Sequence, residues 1–290
     1  MPTLALGLEY NGHHLHGAQK QPGVLTVQGL LERAISQIAN ESVSTRFAGR
    51  TDKGVHATNQ IVSFETNAIR PDSAWIYGCN AYLPSELAIH SVYQVAPGFD
   101  ARRSALRRRY LYLIGETSVR PAFGTHEALW VLQPIDIDVL NELTSLFIGE
   151  KDFSSFCAAQ DDSASRFRDV QRFSVKRIGN FVLLDITANA FLLRMVRNIA
   201  GCFLAVARGE ISVKDVATLI EKRDRNLAPP TAPPDGLYLV HVEYDCIPDN
   251  RLRLPRLLGP VASDQISEAE PLEITFHREK LIQYSAENNQ

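Results

Sequence analysis

The sequence predicts an α+β fold built from two similar halves. In each half, segments with alternating apolar residues are separated by single segments whose apolar residues recur at helical spacing. The chain has 290 residues, which is long for one domain and indicates two domains that each bury a core. We expect an N-terminal domain over 1–105, a C-terminal domain over 106–247 and an extension over 248–290. The mixed polar composition of the extension predicts that it is partly disordered.

The first half contains two predicted strands and one predicted helix. Apolar residues alternate from Leu4 to Tyr10, which is typical of a half-buried strand. From Val27 onward, apolar residues recur every three or four positions, and this spacing predicts a helix that ends near Asn40. A second strand is predicted over 60–64.

The second half repeats this arrangement with more helices. Val139, Leu140, Leu143, Leu146 and Phe147 predict one apolar helix face, and Gly149 is expected to end that helix. Two strands, over 172–175 and 181–186, are predicted to pair around the Gly179-Asn180 turn. A long helix is predicted over 191–208, and a Ser212–Asp215 capping box is expected to open the next helix. The last strand is predicted over 237–244.

One short segment, residues 48–57, has a pattern typical of a functional turn. Asp52 lies between Arg50 and Lys53, and Gly49 and Gly54 flank this charged tip. Glycine permits positive φ angles and the close approach of a ligand. A carboxylate with cations on both sides favours its ionised form, in which it acts as a nucleophile or a base. The alternative is an aspartate that only closes the turn onto its own backbone.

A run of arginines precedes two tyrosines and indicates contact with a polyanion. The net charge of the chain is −3, but the distribution of charge matters more than the total. Basic side chains beside aromatic ones suit phosphate contact and base stacking. The alternative is a strand edge protected by charge. The residues concerned are Arg102, Arg103, Arg107, Arg108 and Arg109, followed by Tyr110 and Tyr112.

The segment 48–57 closely resembles the signature of the tRNA pseudouridine synthases that modify nucleotide positions 38, 39 and 40 of the anticodon stem-loop. Further segments resemble the same family in the same order, so that the resemblance runs from about residue 3 to about residue 246. These segments are 10–12, 17–19, 26–32, 80–84, 99–105, 109–112, 149–156, 191–198 and 232–239.

The resemblance implies a pseudouridine synthase fold, in which two similar domains have antiparallel sheets flanked by helices and a central catalytic cleft. It implies that Asp52 is the catalytic residue and that Tyr110, Arg197 and Arg50 bind the substrate. The chain is then an isomerase that needs no cofactor and no metal. It is expected to bind tRNA, to form a homodimer and to act in the cytoplasm. Candidate RNA contacts are Lys53, His56, Arg102, Arg103, Arg107, Arg108 and Arg109.

Two other interpretations have some support in the sequence. His-His-x-His spacing permits two imidazoles on one side of a loop, so a metal site is conceivable from His13, His14, His16, His56 and Asp52. No Glu or Cys occurs at ligand spacing beside them, and the resemblance explains Asp52 without a metal. The second interpretation is a noncatalytic RNA-binding or RNA-folding protein, which the joint presence of Asp52, Tyr110 and Arg197 disfavours.

Composition excludes several other classes of protein. Hydrophobic residues make up 45% and charged residues 22% of the chain, as in ordinary globular proteins. No apolar run approaches the ~20 residues of a membrane span, and the first residues lack the layout of a signal peptide. The four cysteines are far apart in the sequence, which indicates neither a disulfide framework nor a zinc site.

Overall fold

Ten strands form one mixed sheet in the computed structural model, which describes residues 1–248, 250–259 and 266. The strands are β1 Thr3–Tyr10, β2 Thr45–Phe47, β3 His56–Glu65, β4 Leu87–Val95, β5 Arg107–Glu116, β6 Leu129–Val131, β7 Gly149–Asp152, β8 Phe167–Ile178, β9 Phe181–Ala188 and β10 Leu237–Glu243. The α-helices of the described residues are α1 Val27–Ala39, α2 Ile137–Thr144, α3 Met195–Ala207 and α4 Val213–Lys222. The α+β fold class is thereby confirmed.

The last strand, β10, joins the two halves of the molecule. The strand order is β4-β1-β3-β10-β5-β9-β8-β7, with β2 paired to β3 and β6 to β5. Tyr238 and Leu239 of β10 pair in parallel with His56 and Ala57 of β3, whereas the other side of β10 pairs antiparallel with β5. The expected two sheets are therefore parts of one continuous sheet. The predicted domain boundary falls just before β5 and stays a prediction.

Both faces of the central sheet are covered. Side chains alternate between the faces of a strand, so Tyr112 and Leu113 point to opposite sides. Tyr112 belongs to the main core, which includes the buried faces of all four helices. Leu113 belongs to a smaller cluster that Leu252 and Leu258, from the start of the extension, help to cover. The predicted disorder of the extension concerns mainly residues outside the described ranges.

Several predicted helix ends are confirmed. Helix α1 begins after Thr26, whose side chain accepts a hydrogen bond from the N–H of Gly29, and it ends at Asn40, with a φ of 57°. The left-handed conformation of Asn40 supplies the helix stop that the sequence predicts. The Ser212–Asp215 capping box opens α4 as expected.

Two predicted helices differ from the structure. The long helix α3 starts at Met195 rather than near residue 191, because Arg194 has a left-handed φ of 62° and cannot continue a helix. In the helix predicted over 139–147, Val139 is exposed rather than part of the buried face, and the last turn, Ser145–Phe147, is a 3₁₀-helix. No helix within the described ranges is both long and apolar enough to cross a membrane.

Candidate active site

Hydrogen bonds made by Gly49 and Thr51 hold the turn that carries Asp52 against the sheet and the loop after β1. The side-chain amide of Gln60, on β3, accepts from the N–H of Gly49 at 3.2 Å and donates to its carbonyl at 2.6 Å. The hydroxyls of Thr51 and Tyr10 are 2.9 Å apart, and the carbonyl of Thr51 accepts from the N–H of Ala18 at 3.0 Å. The residues immediately before Asp52 are therefore held firmly.

Two arginines from the start of α3 surround the Asp52 carboxylate. Nη1 of Arg197 donates to Oδ2 of Asp52 at 2.7 Å, and Nε of Arg194 lies 3.9 Å from the same oxygen. Arg197 is itself fixed, because its Nε donates to the carbonyl of Ala232 at 2.9 Å. The side chains of Asp52 and Arg197 are 22% and 14% exposed, so the ion pair is partly shielded from water. Such shielding strengthens the attraction between the two charges.

Tyr110 lies next to this pair, on β5. Its ring is buried and packs edge-to-face on Phe191, with ring centroids 5.0 Å apart. A β-carbon at Gly49 would lie 3.1 Å from the Tyr110 hydroxyl, a tight contact that glycine avoids. Burial raises the pKa of Tyr110 well above its ordinary value, so its hydroxyl is neutral at physiological pH.

These residues line an open cavity of about 250 Å³. The cavity brings together side chains from the turn before β3, from β5 and from the segment before α3. Its volume admits a small ring such as a pyrimidine base and lies just below the ~300–1,000 Å³ typical of sites for larger small molecules. Six residues that the sequence predicts as site residues line it: Arg50, Asp52, Arg102, Arg108, Tyr110 and Arg197.

A carboxylate that the sequence did not indicate, Asp161, also lines the cavity. It accepts hydrogen bonds from the N–H of Leu193 at 2.5 Å and of Ser163 at 2.8 Å, and Arg166 pairs with it at 2.5 Å. Burial alone would raise the pKa of Asp161, but these bonds outweigh burial and lower it to about 2. An ionised Asp161 thereby joins the loop around residue 161 to the segment before α3. In the sequence, Asp161 is one of two adjacent aspartates in a polar segment, and this pattern does not predict that it holds the segment before α3.

Two arginines of the run that lie on β5, Arg107 and Arg109, point away from the cavity. Tyr110 and Arg108 point to one face of β5, and Arg107 and Arg109 therefore point to the other. Nε and Nη2 of Arg109 donate to the Asp185 carboxylate at 2.8 and 2.6 Å, and both side chains are almost completely buried. Arg107 pairs with Glu243 at 3.2 Å. These ion pairs argue against the predicted contacts of Arg107 and Arg109 with RNA, most strongly for the buried Arg109.

The other basic residues differ in their exposure. Arg108 is buried and donates to the carbonyls of Ala48, Ala105, Asn189 and Arg102, so it braces the cavity wall. Its guanidinium holds backbone carbonyls, which argues against its predicted contact with RNA.

Four basic side chains are exposed, and their contacts with RNA stay predictions: those of Arg50, Lys53, Arg102 and Arg103. Nε and Nη2 of Arg50 lie 2.9 and 3.1 Å from the Gln19 carbonyl oxygen, once that amide is oriented to suit its neighbours.

His56 is an internal support rather than an RNA contact. Its side chain is buried, its Nδ1 accepts from the N–H of Gly12 at 3.1 Å, and its Nε2 lies 3.1 Å from the carbonyl of Asp235. Burial lowers the pKa of His56 to about 4, so the ring is neutral at pH 7. The metal set conceived from the sequence does not assemble either, because His56 bonds to backbone and Asp52 pairs with Arg197.

Comparisons with known proteins show the family to which this chain belongs. The family model described as tRNA pseudouridine synthase matches residues 8–102 and 143–245. A tRNA pseudouridine synthase A from Haemophilus influenzae (strain PittGG) is 45% identical over 83% of this chain and 90% of the relative. One from Shewanella baltica (strain OS185) is 46% identical over 89% of this chain and 98% of the relative. The chain belongs to the tRNA pseudouridine synthase family.

Proposed function

We propose that this chain isomerises uridine to pseudouridine at nucleotide positions 38, 39 and/or 40 in the anticodon stem-loop of tRNA, with Asp52 as the catalytic residue. The observation that carries the proposal is the 2.7 Å ion pair between Asp52 and Arg197 in the wall of the cavity. A carboxylate held by a fixed guanidinium, in a partly shielded site, is suited to chemistry at a sugar carbon. Family membership supplies the reaction class.

The reaction needs bonds to be exchanged but no oxidant or reductant. The bond from ribose C1′ to N1 of the base breaks, a bond from C1′ to C5 forms, C5 loses a proton and N1 gains one. The ionised carboxylate of Asp52 starts this exchange, either by attacking C1′ or by removing the C2′ proton. Arg197 aims the carboxylate in both routes, since it fixes one of the two oxygens. No cofactor takes part.

A uridine in a stem-loop must leave the base stack to reach Asp52. Extrusion costs a few kcal/mol, and contacts in the cavity offset this cost. Tyr110 stacks on the flipped uracil, a contact worth ~1–3 kcal/mol. Arg50 is exposed and lies two residues before Asp52. It fills the vacated stack or holds a neighbouring phosphate.

Exposed cations around the cavity hold the RNA backbone. Arg102 and Arg103 lie on the exposed turn before β5, and Lys53 lies beside Asp52. These charges attract phosphates although the chain as a whole carries a net charge of −3. By the resemblance to the family, the enzyme works as a homodimer in the cytoplasm, with tRNA as its partner.

The test uses tRNA transcripts that carry a single uridine at position 38, 39 or 40, with cytidine at the other two. The purified chain should convert at least one of the three to pseudouridine, and the Asp52→Asn variant should convert none. A transcript with uridine only elsewhere in the stem-loop should stay unmodified. If the wild-type chain binds these transcripts without forming pseudouridine, it is a noncatalytic RNA-binding protein instead.

A further inference from the structure

Three side chains that are far apart in the sequence meet beside the β3–β10 junction. They are His13 in the loop after β1, His126 in the loop before β6 and Asp235 just before β10. One ligand atom of each lies within 4.8 Å of the others, and His126 Nδ1 is 3.2 Å from Asp235 Oδ1. The rings of His13 and His126 are stacked, with centroids 3.5 Å apart.

We propose that His13, His126 and Asp235 bind a divalent transition-metal ion of the Zn²⁺ type. Two imidazoles and one carboxylate form a ligand set typical of zinc, with further positions left for water. The proposal concerns a site separate from the cavity, since none of the three residues lines it. It is also independent of the role proposed for Asp52.

The backbones that carry these ligands are held by one buried residue. His56 accepts a hydrogen bond from Gly12, next to His13, and it bonds to the carbonyl of Asp235. Gly12 is packed so tightly that a β-carbon there would lie 2.1 Å from the carbonyl oxygen of Val55. Ligands on fixed backbone lose little freedom when an ion binds, which favours binding.

The charges of the cluster favour a cation over an anion. The Asp235 carboxylate would repel a phosphate and attract a metal ion.

The ring of His126 must leave its stacked position when an ion binds, because the in-plane nitrogens of two nearly parallel rings cannot point at one ion. Zinc–nitrogen and zinc–oxygen bonds of ~2.0–2.2 Å place tetrahedral ligand atoms roughly 3.4 Å apart, whereas the three ligand atoms lie within 4.8 Å of one another, so each pair must close by at most about 1.4 Å. The side chain of His126 is 51% exposed, so it can rotate until its nitrogen converges with that of His13. A bound ion would then link the loop after β1 to the segment before β10.

The test is a Zn²⁺ titration of the full-length, metal-stripped chain against a chromogenic chelator. It is done in a Cys246→Ser background, because Cys246 is exposed and its thiol would bind zinc. We expect one equivalent to bind with a micromolar or lower Kd, and Zn²⁺ to raise the Tm. His126→Ala and Asp235→Asn should each weaken binding at least about tenfold. His14→Ala, in the same loop, is the matched control and should leave binding unchanged.

Other results would overturn the proposal. These are a Kd above about 100 μM, or equal binding by the background protein and His126→Ala. An equal loss in His14→Ala and His126→Ala would also overturn it, since the ion would then lie elsewhere. Because His126 is half-exposed, its substitution should leave the metal-free Tm unchanged, and this measurement separates lost binding from lost folding.

Discussion

The backbone N–H of Leu193 donates a hydrogen bond to the carboxylate of Asp161 at 2.5 Å. The next residue, Arg194, has a left-handed φ of 62°, and α3 begins immediately after it. Arg194 lies 3.9 Å from Asp52, and Arg197 follows one turn later. The Asp161 carboxylate therefore fixes the start of the helix that supplies both cations around Asp52.

Asp161→Asn should slow the reaction more than it weakens tRNA binding. Asparagine keeps an oxygen for Leu193 but loses the charge that pairs with Arg166, so the segment before α3 is held less firmly. We expect a stability loss of about 1–3 kcal/mol and kcat reduced by roughly tenfold, with the Kd for tRNA nearly unchanged. Asp162→Asn, at the exposed neighbouring residue, is the control for the change in charge. Equal kcat values for the two variants would contradict the positioning role.

Substitutions at Tyr110 separate stacking from chemistry. Tyr110→Phe keeps the ring, and we expect tRNA binding and most of the turnover to remain. Tyr110→Ala also removes the ring that packs on Phe191, so it should lose turnover severely and destabilise the fold by about 3–5 kcal/mol. Single-turnover kinetics and thermal unfolding measure the two effects. A Phe variant as inactive as the Ala variant would instead give the hydroxyl a part in proton transfer.

The exposed arginines and the buried ones should respond differently to neutralisation. The double substitution Arg102→Gln and Arg103→Gln should weaken tRNA binding, because both side chains are exposed. The slope of log affinity against log salt concentration should become shallower by up to ~0.7–0.9 for each phosphate contact that is lost. The fold should survive. Filter binding over a salt series measures the slope, and an unchanged slope would show that these charges do not contact phosphate.

Arg109→Gln is the matched comparison from the same run. It leaves Asp185 buried without its closest cation, so it should destabilise the fold by about 3–5 kcal/mol. Its effect on the salt slope should be small, since the Arg109 side chain does not reach the surface.

His56 should make stability depend on pH. Its pKa is about 4 in the folded chain and 6.5 as the ordinary value, so the unfolded chain binds more protons between these values. Stability is therefore full above about pH 6.5 and falls as the pH drops toward 4, by on the order of 3 kcal/mol. His56→Gln cannot titrate and should show a shallower fall in Tm over this range. His90, whose pKa burial also lowers to about 4, contributes to the slope that remains. Parallel Tm curves for the variant and the wild type would contradict this account.

Local patterns in the sequence were sufficient to predict the turn that carries Asp52, the approximate positions of the four α-helices of the described residues, and five of the ten strands: β1, β3, β8, β9 and β10. The alternation from Leu4 to Tyr10, the Ser212–Asp215 capping box and the Gly49-to-Gly54 turn depend on neighbouring residues, so the sequence shows them directly. The arginine run illustrates the limit. Its five arginines look alike in the sequence, but the alternation of β5 sends Arg109 into the interior.

Contacts between distant segments were not predictable in the same way. Asp161 meets Leu193 and His126 meets Asp235 only because the sheet brings their loops together. Neither partner carries a local pattern that identifies the other. The start of α3 was misplaced for the same reason, since the apolar spacing continues through 191–194 while Asp161 holds that segment outside the helix.

Single-turnover pseudouridine formation by Asp52→Asn, measured beside its tRNA affinity, tests the central claim most directly. The substitution keeps the shape of the side chain and a hydrogen bond to Arg197 but removes the negative charge. We predict that pseudouridine formation from labelled tRNA falls to background, because the amide neither attacks C1′ nor removes a proton. Affinity should stay equal or become slightly tighter, because a repulsive charge near the phosphates is lost. Substantial turnover by Asp52→Asn with tRNA saturating would contradict the account.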